Sequence, residues 1–588
     1  MNNPAYQHTF HIPVMGIGYT IDTPLKVAHY GISSVISLVD DVLMEKMREF
    51  YSKKLKLPFQ SISNQAGDYR ARRITAYLNL VDMVSGKKFE KLKNALPDHP
   101  GVRKYRDMLP DTTGQGPVHD DFHGHQKNRE SFSLTSLTIG NIDVNIMTKL
   151  DRENYRGQQQ LPSEYNDAHA ALRGYAKSTL RSSLVLSAGM NPGLYSYLEE
   201  FDDFYPDDTG TLSKKITLKV SDYRSALIQG KYLAKKGLWV SEYRIESGLN
   251  CGGHAFATDG YLLGPILEEF KQKREELIRT THELLGEALT TKRRSCPATP
   301  LPVKFSVQGG VGTAEEHRFL LEHYELDSVG WGTPFLLVPE VVNVDAETQQ
   351  LLRNAREKDL YLSDTSPLGV PFNTLWGNTR DIEKTRRIIS GRPGSPCPRK
   401  FASNNKEFTR RSICTASRQY QRLKIRELDS TDLPLEEYKR EYDKATVKSC
   451  ICAGLGTSAL LVKGLDTKTE GKGVSVCPGP NMAYFSETVS LQKMADHIYG
   501  RTNLIERKDR PNMFIKEADM YIDHLSKKML QSPQPLPDRQ RKALLKFQHN
   551  LMEGINYYID IFSSTGHSRF LYDLKALEYR LNRLQLTE

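Results

Sequence analysis

The chain has 588 residues and a formal charge of +10; 38% hydrophobic and 26% charged residues supply apolar material for large cores and exclude wholesale disorder. No apolar run approaches the roughly 18 residues of a membrane span, and the opening MNNPAYQHTFHIPVMG lacks the basic start and apolar stretch of a secretion signal. Seven scattered cysteines are too few for a secreted disulfide scaffold, so the expected setting is cytoplasmic, away from any membrane.

Short apolar runs alternate with amphipathic stretches from the start. Residues 12–18 (IPVMGIG) read as a buried strand, and 23–30 as a helix with Thr23 as N-cap, Pro24 at its first position and Gly31 ending it. SSVISLV (33–39) is the next strand. The polar stretch that follows, about 40–130, is too long for an ordinary loop and reads as an insertion or an elaborated helical layer. Strands return at 142–148, 182–189, 215–221, 238–247, 303–310 and 328–333, with helices near 167–178, 222–236 and 314–323. Eight strands joined by crossover helices suit an α/β (β/α)₈ TIM barrel, although a doubly wound sheet would show a similar alternation. The barrel is expected over 1–345, a basic connecting region over 346–445, and a mainly helical, cysteine-containing domain over 446–588.

The basic region stands out. Between Thr379 and Glu427 fourteen Lys or Arg face four acids, an excess as large as that of the whole chain. Such a stretch can meet phosphate, nucleic acid or an acidic carrier protein, or can simply be a solvated face.

Two glycine motifs carry the sharpest chemistry. Gly309-Gly310-Val311-Gly312-Thr313-Ala314-Glu315-Glu316 follows a strand and opens a helix, with Thr313 and Glu316 at capping-box spacing. Its backbone N–H groups and the helix N-terminus favour an anion. The next strand ends in Gly330-Trp331-Gly332-Thr333-Pro334. Loops after consecutive late strands of a barrel form the phosphate site expected there, and the alternative is a pair of tight turns without a ligand. Ser247-Gly248-Leu249-Asn250-Cys251-Gly252-Gly253-His254 ends the sixth strand and puts an imidazole at the mouth, where it can exchange a proton with substrate or merely cap a loop.

In this order, PVMGIG, Asn145 in DVNIMT, SGLNCGGH, GGVGTAEE and GWGT resemble the nitronate monooxygenase-like family, formerly 2-nitropropane dioxygenase, which includes flavin-dependent enoyl-acyl-carrier-protein reductases. The resemblance covers roughly 10–345 without the insertion, and implies an FMN-binding TIM barrel with the flavin ring over the C-terminal mouth. By position it places Met15 and Gly16 beside the ring, Asn145 among its polar contacts, and Lys219 near the ring or its phosphate. Gly252 falls on a flavin-contacting glycine, Ser247 stands at a position of the flavin site where the family usually has Gln, and His254 matches the catalytic histidine. Gly310, with Gly330, Trp331, Gly332 and Thr333, matches the phosphate loops. Asn250-Cys251 replaces the family's Glu-Ala, which removes a carboxylate beside the histidine.

Cys414, Cys450, Cys452 and Cys477 are dense enough to bind zinc or an iron–sulfur cluster, but the spacing fits no standard run; a redox thiol pair and ordinary buried cysteines are the alternatives. His119, Asp120, Asp121, His123 and His125 form a second metal candidate, in a loop of the insertion that also reads as a solvated lid. The sequence thus points to an FMN-dependent oxidoreductase that oxidises a carbon acid or reduces an activated double bond, with His254 as acid/base. Its substrate would be a small molecule or carrier-bound, and no motif identifies the electron donor. The alternative is a flavin-containing module whose basic C-terminal half engages RNA or an acidic carrier protein.

Overall fold

Eight strands lie in one ring: β1 (Phe10–Ile12), β2 (Ser33–Ser37), β3 (Ile142–Met147), β4 (Ser183–Ser187), β5 (Lys215–Val220), β6 (Val240–Glu246), β7 (Lys304–Gln308) and β8 (Ser328–Gly330). Each is parallel to the next, and β8 pairs back with β1 through Phe10–Val329 and His11–Gly330, so the sheet is a closed barrel and not a doubly wound layer. This is a computed structural model, which describes residues 7–110, 137–187, 189–532, 535–563 and 568–584. The His119–His125 cluster lies outside the described residues.

Local chemistry sets the element ends. Asp222 caps the helix after β5 by accepting from the Ser225 amide at 2.7 Å, and Thr313 and Glu316 form the expected capping box of the helix after β7, Ala314–His323. The first strand departs from expectation. It ends at Ile12, because Pro13 has no N–H for the ladder and Gly16 turns the chain with φ +55°, so PVMGIG is a loop over the barrel mouth. Thr23 is the first residue of its helix, after Asp22. The insertion folds as three helices, Asp41–Lys54, Tyr69–Lys93 and Pro100–Met108, and the second packs on the helix after β3, Asp167–Ala176.

Beyond the barrel come a hairpin (Leu360–Ser363 with Phe372–Leu375) and further helices. One hydrophobic core runs without interruption from Phe10 in β1 to Leu581 in the last helix. Two C-terminal helices pack on the mouth side of the barrel: a roof helix, Ile451–Val462, which lines the cavity there, and a clasp helix, Met513–Leu530, which holds the segment after β6 through Ser247, Asn250 and Leu263. The roof helix touches the β1 loop backbone to backbone. The Gly18 amide donates to the Leu455 carbonyl at 2.8 Å, and a Cβ on Gly18 would lie 2.9 Å from the Gly456 carbonyl.

Much of the basic stretch is used internally. Arg380 is buried, pairs with Glu383 and donates to the Glu470 and Gly473 carbonyls, while Arg399 reaches Asp40 and Glu470. No single helix among the described residues is long and apolar enough to cross a membrane. One bent pair, Leu435–Thr446 with the roof helix, passes that test by length and composition, and the roof helix is largely buried in the core.

Candidate active site at the barrel mouth

The C-terminal ends of all eight strands surround a cavity of about 220 Å³. Met15 and Gly16 contribute from the β1 loop, Asn145 from β3, Lys219 from β5, and Gly252 and His254 from the loop after β6; Gly310, Gly330, Gly332 and Thr333 complete that wall. Ten residues expected at the site therefore share one cavity. Ser247 and Trp331 do not line it. The Ser247 hydroxyl donates to Glu517 of the clasp helix at 2.5 Å, and the Trp331 ring lies in the core, its Nε1 donating to His317 Nδ1 at 3.1 Å.

The floor is polar. Glu246 accepts from Lys219 Nζ at 2.9 Å and from Gln308 Nε2 at 2.7 Å, so the ends of β5, β6 and β7 are tied by one carboxylate. Among the described residues Gln308 Oε1 is buried and makes no well-aligned hydrogen bond, and the Gln308 side chain interacts with the buried His11 ring. Asn145 is fixed by donating to the Val185 carbonyl at 3.1 Å. Glu246 and Gln308 escaped the sequence reading, although period two gives a signal: Glu242, Arg244 and Glu246 share the inward side of β6, as Ser306 and Gln308 share that of β7.

Around the glycine loop after β7, the helix N-terminus is already filled. Glu316 accepts from the Gly312 and Thr313 amides at 2.8 and 3.3 Å and forms a two-pronged pair with Arg510, both contacts at 2.8 Å. Arg510 also donates to the Gly310 carbonyl, and Asn481 donates to that of Val311. One step closer to the cavity, the amides of Gly309, Gly310 and Val311, and of Gly332 and Thr333, donate to no protein acceptor among the described residues. The positive φ of Gly310 (+84°), and a phantom Cβ only 2.1 Å from Asn250 Nδ2, admit no other residue there.

His254 lines the cavity from the loop after β6. Its Nε2 lies 2.7 Å from Ser366 Oγ, and its ring leans on Phe372 with centroids 4.9 Å apart. Burial, with the Lys149 ammonium adding to it, lowers its pKa to about 4, so the imidazole is neutral near pH 7. The loop carrying it is held from the far end of the chain: the Gly253 amide donates to the Cys477 carbonyl at 3.1 Å, and the Gly479 amide to Thr333 Oγ1 at 2.9 Å.

The four cysteines expected to share a metal do not form one site. Cys414, Cys450 and Cys452 lie around the buried Cys397, with Cys452 also lining the cavity, whereas Cys477 lines the cavity from the segment that holds the Gly253 amide. Among the described residues no group of three or more His, Cys, Asp or Glu side chains is placed to hold a metal ion. Burial pushes the Cys477 thiol up to about 12 and raises Cys251 and Cys452 well above the ordinary thiol range, so all three are protonated.

No family model matches the sequence, and no curated protein matches it. Among solved structures, the enoyl reductase domain of MlnA from the macrolactin biosynthesis cluster of Bacillus amyloliquefaciens is similar over 72% of this chain and 85% of that one, with 13% identity and a TM-score of 0.33. A likeness that loose carries no argument; the fold class rests on the closed ring of parallel strands.

Proposed function

We propose that this protein is an FMN-dependent oxidoreductase whose reaction takes place in the cavity at the barrel mouth. The observation that carries the reading is the pair of glycine loops. Five backbone amides that have no protein acceptor among the described residues belong to residues lining a cavity whose floor holds Lys219, Glu246, Asn145 and Gln308. Such a donor set suits a flavin: amides for a phosphate, fixed polar groups for the ring edge. The anion would rest on Gly309–Val311 and Gly332–Thr333 and not on the helix N-terminus, where Glu316 and Arg510 already neutralise each other. When bound, a flavin accepts or delivers a hydride. The chain's own residues orient it, exclude water and bring His254 to the substrate, either a carbon acid or an activated double bond.

The test begins with colour. Purified protein, or protein incubated with FMN, should show a flavin spectrum at one equivalent. Thr333→Asp keeps an acceptor for the Gly479 amide but sets a carboxylate beside the anion site, and should release the flavin; Thr333→Asn should retain it. A folded wild-type protein that takes up no FMN overturns the proposal. His254→Ala should leave the flavin bound and lower turnover on the true substrate by roughly 10²–10⁴.

Arg418, Arg422 and Arg426, at i, i+4 and i+8 on helix Arg418–Asp429, expose one basic face. That face favours, as a second reading, an acidic carrier or RNA held there. Binding that falls steeply with salt and disappears on changing the three arginines to glutamine would support it.

A further inference from the structure

Ser366 is fully buried, and the sequence offers no reason to notice it. It follows the strand Leu360–Ser363, in a turn whose Leu368 amide donates to Ser366 Oγ at 3.2 Å. A buried hydroxyl must also place its own proton. Among the described residues, the acceptor within reach of Ser366 Oγ is His254 Nε2, at 2.7 Å. The hydroxyl therefore donates, Nε2 accepts, and the ring proton of a neutral imidazole is left on Nδ1. Nδ1 makes no protein hydrogen bond among the described residues and belongs to a side chain that lines the cavity.

We propose that Ser366 is a positioning residue that fixes the tautomer of His254, so that Nδ1–H is presented to the cavity as a hydrogen-bond donor for a substrate oxygen that gains negative charge. This rests on the reading above for there being a substrate at that place. It changes the part assigned to His254: with Nδ1 protonated and Nε2 engaged, the imidazole has no free lone pair toward the substrate, and it stabilises charge instead of removing a proton. Both substrate classes have such an oxygen, on the group that activates the carbon acid or the double bond. The neutral state follows from the surroundings. Phe372 and Phe256 border the ring, and the charge that faces it, Lys149, opposes protonation.

The experiment is nitrogen NMR on full-length protein carrying ¹⁵N-labelled histidine, purified with whatever cofactor it holds, with His254→Asn identifying the resonances. In the wild type, His254 should show a protonated Nδ1 and an unprotonated Nε2, unchanged between pH 6 and 8. Ser366→Ala should shift the ring toward the Nε2–H form or a mixture, and Ser366→Thr, which keeps the hydroxyl, should restore the wild-type pattern. Circular dichroism establishes that each variant is folded. If Ser366→Ala fails to fold, the wild-type and threonine spectra decide the matter alone. A wild-type ring protonated on Nε2, or a folded Ser366→Ala protein with the wild-type tautomer, overturns the proposal. Flavin content is read on the same samples: absence of flavin with the tautomer as stated removes the oxidoreductase reading and leaves the Ser366–His254 assignment standing.

Discussion

Glu316 and Glu517 are both buried carboxylates at which the C-terminal segment grips the barrel, but their partners differ. Glu316 meets the guanidinium of Arg510 and three backbone amides, those of Gly312, Thr313 and Met513. Glu517 meets no cation among the described residues: the Ser247 hydroxyl donates to one oxygen and the Leu263 amide to the other, at 2.8 Å. Burial pushes Glu517 up to about 7. A guanidinium and several donors let a carboxylate stay charged inside a protein, whereas two neutral donors do not fully replace water. One grip is thus electrostatic and the other is set by pH.

Removing the cation should break the first grip. Arg510→Met leaves Glu316 buried and unpaired, with an expected loss of about 3–5 kcal/mol in urea unfolding. A change below about 1 kcal/mol would mean that the amides alone hold the charge. The second grip should show as a slope. Glu517 binds its proton more tightly folded than unfolded, so its contribution is complete below about pH 4.5, the unfolded value, and is lost as pH rises through about 7. The drop across that window is on the order of 3 kcal/mol. Glu517→Gln, which mimics the protonated form, should flatten it, and an unaltered pH profile would assign the slope to other groups. The smallest effect belongs to Ser247→Ala, which removes one of Glu517's two donors and should cost about 1–2 kcal/mol near pH 7. Its cost should shrink at pH 5 if the comparison is right.

Most of the barrel was legible in the sequence. Seven strands lie where the short apolar stretches put them, because Val, Ile, Leu, Phe or Tyr at every second position pack against the helices even where Asp143 and Asn145, or Glu242, Arg244 and Glu246, alternate with them. The first was misplaced because its apolar run continues past Ile12 into Pro13 and Gly16, where the ladder stops. At the site, glycine motifs located the loops but could not orient single side chains: Trp331 sits in the right motif and turns to His317. Ser366 and Arg510 left no local trace. Their significance lies in contacts with His254 and Glu316, more than a hundred residues away, and no periodicity encodes such a pairing.

The closing contacts of the molecule also impose an order on its making. β1 cannot find its second neighbour until Gly330 has been synthesised, and the loops around Asn250 and Gly253 wait for Met513 and Cys477. On the ribosome, a finished ring of strands therefore precedes the roof helix by the stretch from residue 330 to residue 451, and the clasp helix by that from 330 to 513. Until then the glycine amides and the apolar wall beneath the roof helix are open to water. The cavity is born uncovered and is sealed late, by some of the most distant contacts in the chain.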